Sequence, residues 1–192
     1  MLIGLTGRTG SGKSSAAEFF INKGACVVDC DSIAHKVLED ENIKNELKKY
    51  FPPEIFDSSG KVIRQNLGRI VFSDPQKLSV LNSIVHPEVI RRSLEIISAS
   101  GKKTAVLDGS ELDTSGIDKK CRHIIVLESD EEIRLKRIMQ RDGIDRDSAL
   151  KRINAQHDYS EKCITVKNNA SRAELFSELE IIYNRIMEED NA

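Results

Sequence analysis

Five short apolar runs punctuate the chain at Leu2 to Thr6, Ala25 to Asp29, Thr104 to Asp108, His123 to Leu127 and Cys163 to Val166, and stretches of helical spacing separate them. Short runs rich in Val and Ile, each followed by an amphipathic segment, predict buried strands joined by crossover helices. The expected fold class is therefore α/β: a parallel five-stranded sheet with helices on both faces. Ligands of such sheets gather at the carboxyl ends of the strands. That rule selects Gly7 to Ser14, Asp29 to Asp31, Asp108 to Thr114 and Asn168 to Ser171.

About seventy residues separate the second and third runs, far more than one crossover helix needs. They predict a helical subdomain. Ile43 to Phe51 has helical spacing, Pro52-Pro53 breaks it, Ser58-Ser59-Gly60 reads as a turn, and helical runs follow at Leu67 to Phe72, Leu78 to Val85 and Val89 to Ser98. His86-Pro87, between the last two, reads as a structural hydrogen-bonding group or a helix stop. A second polar stretch, roughly Ile138 to Lys162, is rich in Arg and Asp with few large apolar residues, as in lids that close over a nucleotide and exclude water. The expected division is a core of 1–31, 102–137 and 162–192, an acceptor-binding insertion of about 32–101, and a lid of about 138–161.

Composition narrows the class of protein. A chain of 192 residues can bury a continuous core without covalent staples. Cys26, Cys30, Cys121 and Cys163 form no C-x-x-C pair and no zinc-type cluster, so they read as reduced thiols of a cytoplasmic protein. Twenty-nine basic residues against 31 acidic ones, with basic runs no longer than pairs, argue against nucleic-acid binding. No apolar stretch approaches the ~18 residues that span a bilayer, and the first residues lack the pattern of a secretory signal. The expected assembly is a monomer or weak homo-oligomer.

The chemistry concentrates at the first strand. Gly7-Arg8-Thr9-Gly10-Ser11-Gly12-Lys13-Ser14 fits G-x-x-x-x-G-K-S and sits between an apolar run and the helical pattern of Ala16, Ala17, Phe19, Phe20 and Ile21. Glycines let successive N–H groups turn toward phosphate oxygens, Lys13 reaches the β- and γ-phosphates, and the Ser14 hydroxyl ligates Mg²⁺. Asp29-Cys30-Asp31 closes the second run, and strand alternation would point both carboxylates to one side. One of them can accept the proton of an attacking hydroxyl; Asp31 could instead cap the helix that follows. Asp108, ending the third run, resembles the Walker-B position and is a second candidate magnesium ligand. Arg134, Arg137 and Arg141 share one helix face, either to neutralise a transferring phosphoryl group or as a solvated row paired with Asp130, Glu131 and Asp142. Asp113-Thr114-Ser115-Gly116 fits the D-x-x-G of GTPases, but no Asn-Lys-x-Asp base-reading pattern follows the fifth run.

Several of these segments together resemble the dephospho-CoA kinase family, of the nucleoside-monophosphate-kinase-like group. The opening Gly4-Leu5-Thr6-Gly7-Arg8-Thr9-Gly10-Ser11-Gly12-Lys13-Ser14, then Val28-Asp29-Cys30-Asp31-Ser32-Ile33-Ala34-His35, carry the likeness first. Gly60-Lys61-Val62-Ile63-Arg64, Leu67, Val71-Phe72, Leu78 and Ile84-Val85-His86-Pro87 carry its most distinctive part. Arg134 to Asp142 and Arg152 to Gln156 are similar to the lid and its flanks. The resemblance implies a P-loop kinase fold, with ATP contacted along Gly10, Ser11, Gly12, Lys13, Ser14 and Ser15 and by Arg141 and Asn168. It implies Asp31 as the base, with Lys13 and Arg141 in catalysis, and Arg64 and His86 beside the acceptor. The implied reaction is Mg²⁺- and ATP-dependent phosphorylation of the ribose 3′-hydroxyl of dephospho-CoA, the last step of coenzyme A synthesis. Another nucleoside or nucleotide kinase, or an ATP-binding regulatory module that has lost catalysis, are the alternatives. Two departures stand out: Ser110-Glu111-Leu112-Asp113-Thr114 replaces the family's Pro-Leu-Leu-Phe-Glu-like run, and the Gln156 to Asn168 segment is shorter than usual.

Overall fold

The structure, a computed structural model, describes residues 1–154, 159 and 163–191. In chain order its elements are β1 (Leu2–Gly7), α1 (Lys13–Asn22), β2 (Cys26–Asp29), α2 (Cys30–Val37), α3 (Glu41–Tyr50), α4 (Arg64–Ser73), α5 (Pro75–Ser100), β3 (Ala105–Asp108), α6 (Leu112–Ser115), β4 (His123–Glu128), α7 (Glu131–Asp142), α8 (Arg146–Asn154), β5 (Ile164–Lys167) and α9 (Arg172–Asn191). All five expected strands form, each within a residue or so of its apolar run. They make one sheet of order β2-β3-β1-β4-β5. β1 runs parallel to both β3 and β4, with Leu5 opposite Asp108 and Ile125, and β4 runs parallel to β5. Successive strands fill one side of β1 and then the other, so the crevice at its carboxyl end is the switch point where ligands of such sheets bind.

The chain divides into two compact units, 1–28 with 97–192, and 29–96. The first is built on a continuous apolar core: Ile3, Leu5, Val106, Ile125, Leu127 and Val166 from the sheet meet Ala16, Phe19 and Phe20 of α1 and Leu175, Leu179, Ile182 and Ile186 of α9. Phe19 stacks edge-on against Phe20, Phe176 and Tyr183, geometries that aromatic quadrupoles favour. The packing fixes α1, and α1 carries the residues that follow the glycine-rich loop.

The second unit is helical, as its spacing predicts, and buries Ile33, Val37, Leu47, Phe51, Ile55, Val62, Leu67, Val71, Val85 and Val89. Two expectations need correction here. The runs Leu78 to Val85 and Val89 to Ser98 form one helix, α5, which continues through Pro87. Proline removes one N–H donor, but Pro87 is exposed while Val85, Val89 and Ser93, four residues apart, keep one face buried. Burial of that face outweighs the missing bond, so His86-Pro87 does not stop the helix. The second correction concerns Asp29 and Asp31. The chain turns helical at Cys30, so strand alternation does not relate the two carboxylates. Asp29 is the cap, its Oδ1 accepting from Ser32 N at 2.8 Å, while Asp31 lies in the first turn of α2.

The stretch expected to be a polar lid holds more apolar packing than its composition suggests. Leu135 and Ile138 of α7 bury against Ala149 and Ile153 of α8, with Met139, Ile144 and Leu150 around them. Residues 155–158 and 160–162, including Gln156, His157 and the shortened return toward β5, lie outside the described residues. Gly116 of the D-x-x-G match ends α6 in the left-handed region at φ 70°, its N–H bonded to Asp113 O, which is a helix-terminating role. No helix among the described residues is long and apolar enough to cross a membrane.

Candidate active site

The glycine-rich loop runs from the end of β1 into α1, and its backbone is shaped by what holds it from behind. Gly12 has φ 102°, a conformation that side chains disfavour, and a Cβ there would lie 2.1 Å from Asn168 Nδ2. Gly10 has φ 80°, and a Cβ there would approach the Arg134 carbonyl to 2.9 Å. Three consecutive loop carbonyls are tied to the scaffold: Thr9 O accepts from Arg134 Nε at 3.0 Å, Gly10 O from Arg137 Nη1 at 3.3 Å, and Ser11 O from Asn168 Nδ2 at 2.7 Å. In a planar trans peptide the N–H points opposite to the C=O. Anchoring those carbonyls therefore turns the Gly10 and Gly12 amides the other way. The Ser11 amide is used within the loop, donating to Arg8 O at 3.0 Å.

α1 then begins at Lys13 with no side-chain cap and no acidic residue in its first turn, so its positive end is kept for an anion. Ser14 is exposed there and Ser15 half-buried. Lys13 Nζ donates to Asp108 Oδ1 at 2.9 Å, joining the loop to the end of β3. A cavity of about 360 Å³ opens beside the loop at the carboxyl ends of β1, β3 and β4. Its walls include Arg8, Ser11, Glu111, Asp113, Arg134 and Tyr159. The segment that departs from the family's apolar run thus faces the loop with two carboxylates, and Leu112 between them is buried. Tyr159 donates from its hydroxyl to Asp118 Oδ2 at 3.1 Å.

The arginine row has two fates. Arg134 and Arg137 hold the loop, and Arg137 Nη1 also donates to Ser129 Oγ and Asn168 O at 3.0 Å. Arg141, at the far end of α7, is more than half exposed and makes a two-pronged pair with Asp142, at 2.7 and 2.9 Å. Its guanidinium, first by hydrogen bonding, lowers the Asp142 carboxyl below the ordinary range, and Arg152 pairs with the same carboxylate. Sequence spacing placed these arginines on one face but gave no sign that two of them serve backbone carbonyls. The same holds for Asn168. Its side chain is 6% exposed and is spent on Ser11 O, so its place in the structure is that of a loop support. Ser129, which donates to Asn168 O at 2.5 Å, was not singled out at all.

In the helical unit, Arg64 Nη2 lies 2.6 Å from His35 Nε2. A guanidinium only donates, so that imidazole nitrogen accepts and the ring carries its proton on Nδ1. Burial, then the Arg64 charge, lowers the His35 pKa, while Asp31 and Asp29 push the other way. His86 sits half-buried within α5. Lys61 of the distinctive Gly60 to Arg64 stretch pairs with Glu39.

The donor set fits a magnesium ion that arrives on phosphate. Mg²⁺ in phosphotransferases keeps one or two protein oxygens beside those of the nucleotide, and the Ser14 hydroxyl and Asp108 carboxylate are two such oxygens. Among the described residues no cluster of three or more His, Cys, Asp or Glu side chains is arranged to hold an ion without help.

Comparison with known proteins agrees with this geometry. The sequence profile described as dephospho-CoA kinase matches residues 1–174. The dephospho-CoA kinase of Fusobacterium nucleatum is 38% identical over 184 residues, covering 94% of this chain and 95% of that protein. That of Geobacillus kaustophilus is 35% identical, covering 91% and 90%. Among solved structures, TT1252 from Thermus thermophilus superposes with a TM-score of 0.83 at 32% identity, over 96% of this chain and 97% of that one. The dephospho-CoA kinase from Campylobacter jejuni shares the fold with a TM-score of 0.63 at 24% identity, over 98% of each chain. A phosphate loop braced by α7 and Asn168, a helical unit carrying the Gly60 to Pro87 stretch, and a family match that spans both place this chain in the dephospho-CoA kinase family.

Proposed function

We propose that the protein transfers the γ-phosphoryl group of ATP to the ribose 3′-hydroxyl of dephospho-CoA, releasing CoA and ADP. The observation that carries this reading is the braced loop, with its three anchored carbonyls, in a chain whose family match covers both compact units. The Gly10 and Gly12 amides, the start of α1 and the Lys13 ammonium bind the triphosphate, and their positions are set before it arrives. Bound magnesium neutralises charge on the phosphates, with Ser14 and Asp108 as its protein ligands.

Asp31, just past the end of β2, is the base of this reading. Its carboxylate accepts the proton of the 3′-hydroxyl as that oxygen bonds to the γ-phosphorus and the bond to ADP breaks. Arg64, held by His35, and His86 belong to the acceptor side. Arg141 leaves Asp142 to meet phosphate oxygens when residues of about 138–161 close over the nucleotide, which excludes water as a competing acceptor. ATP, dephospho-CoA and four cysteines among the described residues that remain thiols suit the cytoplasm.

The test is ADP release from Mg²⁺-ATP by the purified protein with dephospho-CoA, adenosine, nucleoside monophosphates or no acceptor. Turnover with dephospho-CoA alone is expected. Turnover with a different acceptor would mean that the Ser110 to Thr114 segment has redirected specificity, and ATP binding without turnover would replace the kinase by a nucleotide-binding regulator.

A further inference from the structure

The Lys13 to Asp108 pair has a consequence for which form of the nucleotide the loop accepts. Lys13 Nζ and Asp108 Oδ1 are 2.9 Å apart, and the two side chains are only 19% and 15% exposed, so the contact is poorly screened by solvent. The cation that the loop offers to a triphosphate is thus already engaged by a carboxylate fixed in the sheet, where Asp108 lies opposite Leu5 of β1. Resting on the phosphate-loop reading of the site, we infer that Asp108 makes the loop discriminate between magnesium-loaded and metal-free ATP.

The argument is one of sign. A metal-free triphosphate brings its full negative charge to a site holding a second anion and must compete with it for Lys13. A triphosphate carrying Mg²⁺ brings a cation that the same carboxylate attracts, and Lys13 is released to the phosphates. Asp108 therefore acts against one form and for the other. Removing its charge should reduce the discrimination chiefly by improving the binding of metal-free ATP. Asp113, which lines the neighbouring cavity at the next turn of chain, contributes charge to the same region but belongs to a different wall. It serves as the control for a general field effect.

The experiment is calorimetric titration with ATP, once with a chelator and once with excess Mg²⁺, and with no acceptor present. The unaltered protein should bind the magnesium-loaded form at least about tenfold more tightly, the affinity ratio set by one unit of charge in a partly buried site. Asp108→Asn should tighten metal-free binding by about tenfold and abolish most of the preference, whereas Asp108→Glu should keep it. Equal affinities of the unaltered protein for the two forms overturn the inference without any variant. So does an Asp108→Asn protein that binds metal-free ATP no better, or an Asp113→Asn protein that gains as much. Because no acceptor is used, failure to phosphorylate dephospho-CoA leaves the result standing, while failure to bind ATP in either form removes the phosphate-loop reading itself.

Discussion

The phosphate loop and the helical unit of residues 29–96 handle their polar groups in opposite ways. Behind the loop, Arg134, Arg137, Ser129 and Asn168 are withdrawn from water and bonded to backbone carbonyls. In the helical unit the charged groups lie at the surface in short-range pairs, Arg91 and Arg92 with Glu88, Arg92 with Asp40, Lys61 with Glu39. Buried hydrogen bonds are expensive to break, because the partner left behind cannot turn to water. Exposed pairs exchange with solvent at little cost. The loop is thus a fixed mould for phosphate, and the helical unit contributes individual groups that can be replaced without loss of the mould.

The largest expected effect that would sharpen this contrast is chemical. Asp31→Asn should lower kcat by about 10²- to 10⁴-fold, the usual worth of a positioned base, with ATP affinity nearly unchanged. Its carboxylate belongs to the helical unit and has no part in the mould. A variant with undiminished turnover would remove Asp31 as the base.

Next in size is Asn168→Ala. Without the side-chain amide, Ser11 O loses its buried donor, and the protein should lose about 1–3 kcal/mol of stability together with ATP affinity. Denaturant unfolding and calorimetry would report both. Arg91→Ala, which removes an exposed pair, should leave both quantities within error. If the two variants behaved alike, the distinction between mould and surface would fail.

The smallest effect concerns pH. The His35 pKa is lowered from its ordinary value of 6.5 by burial and by Arg64, so the folded protein holds fewer protons at this ring than the unfolded chain. Stability is then fully present above 6.5 and declines as pH falls toward the lowered value, with Arg64 losing its acceptor as the ring protonates. His35→Gln should flatten that part of the stability profile. The loss expected from Glu88, whose pKa is lowered from 4.5 to about 2 by its arginines, comes at lower pH and should survive the substitution.

Much of the architecture is legible in the residue pattern because burial on both faces of a parallel sheet demands short, wholly apolar runs. The five strands and the glycine-rich loop follow from that demand and from the need for left-handed backbone at Gly10 and Gly12. Asp29 and Asp31 were harder to place. A D-x-D after a strand reads the same whether the strand continues or a helix begins, and the choice depends on where Cys30 is buried. Pro87 misleads for a related reason: a local stop signal is overruled when the face on the other side of the helix has a core to enter.

Sequence alone therefore determined the class of fold, the phosphate loop and the family resemblance, since these rest on residue types at fixed short spacings. Only the tertiary structure decided what braces the loop, what Lys13 touches, and which arginines of one helix face serve the backbone and which meets an aspartate. Those contacts join residues as far apart as Ser11 and Asn168, or Lys13 and Asp108, and a pairing across such distances exists only once the strands have been brought side by side.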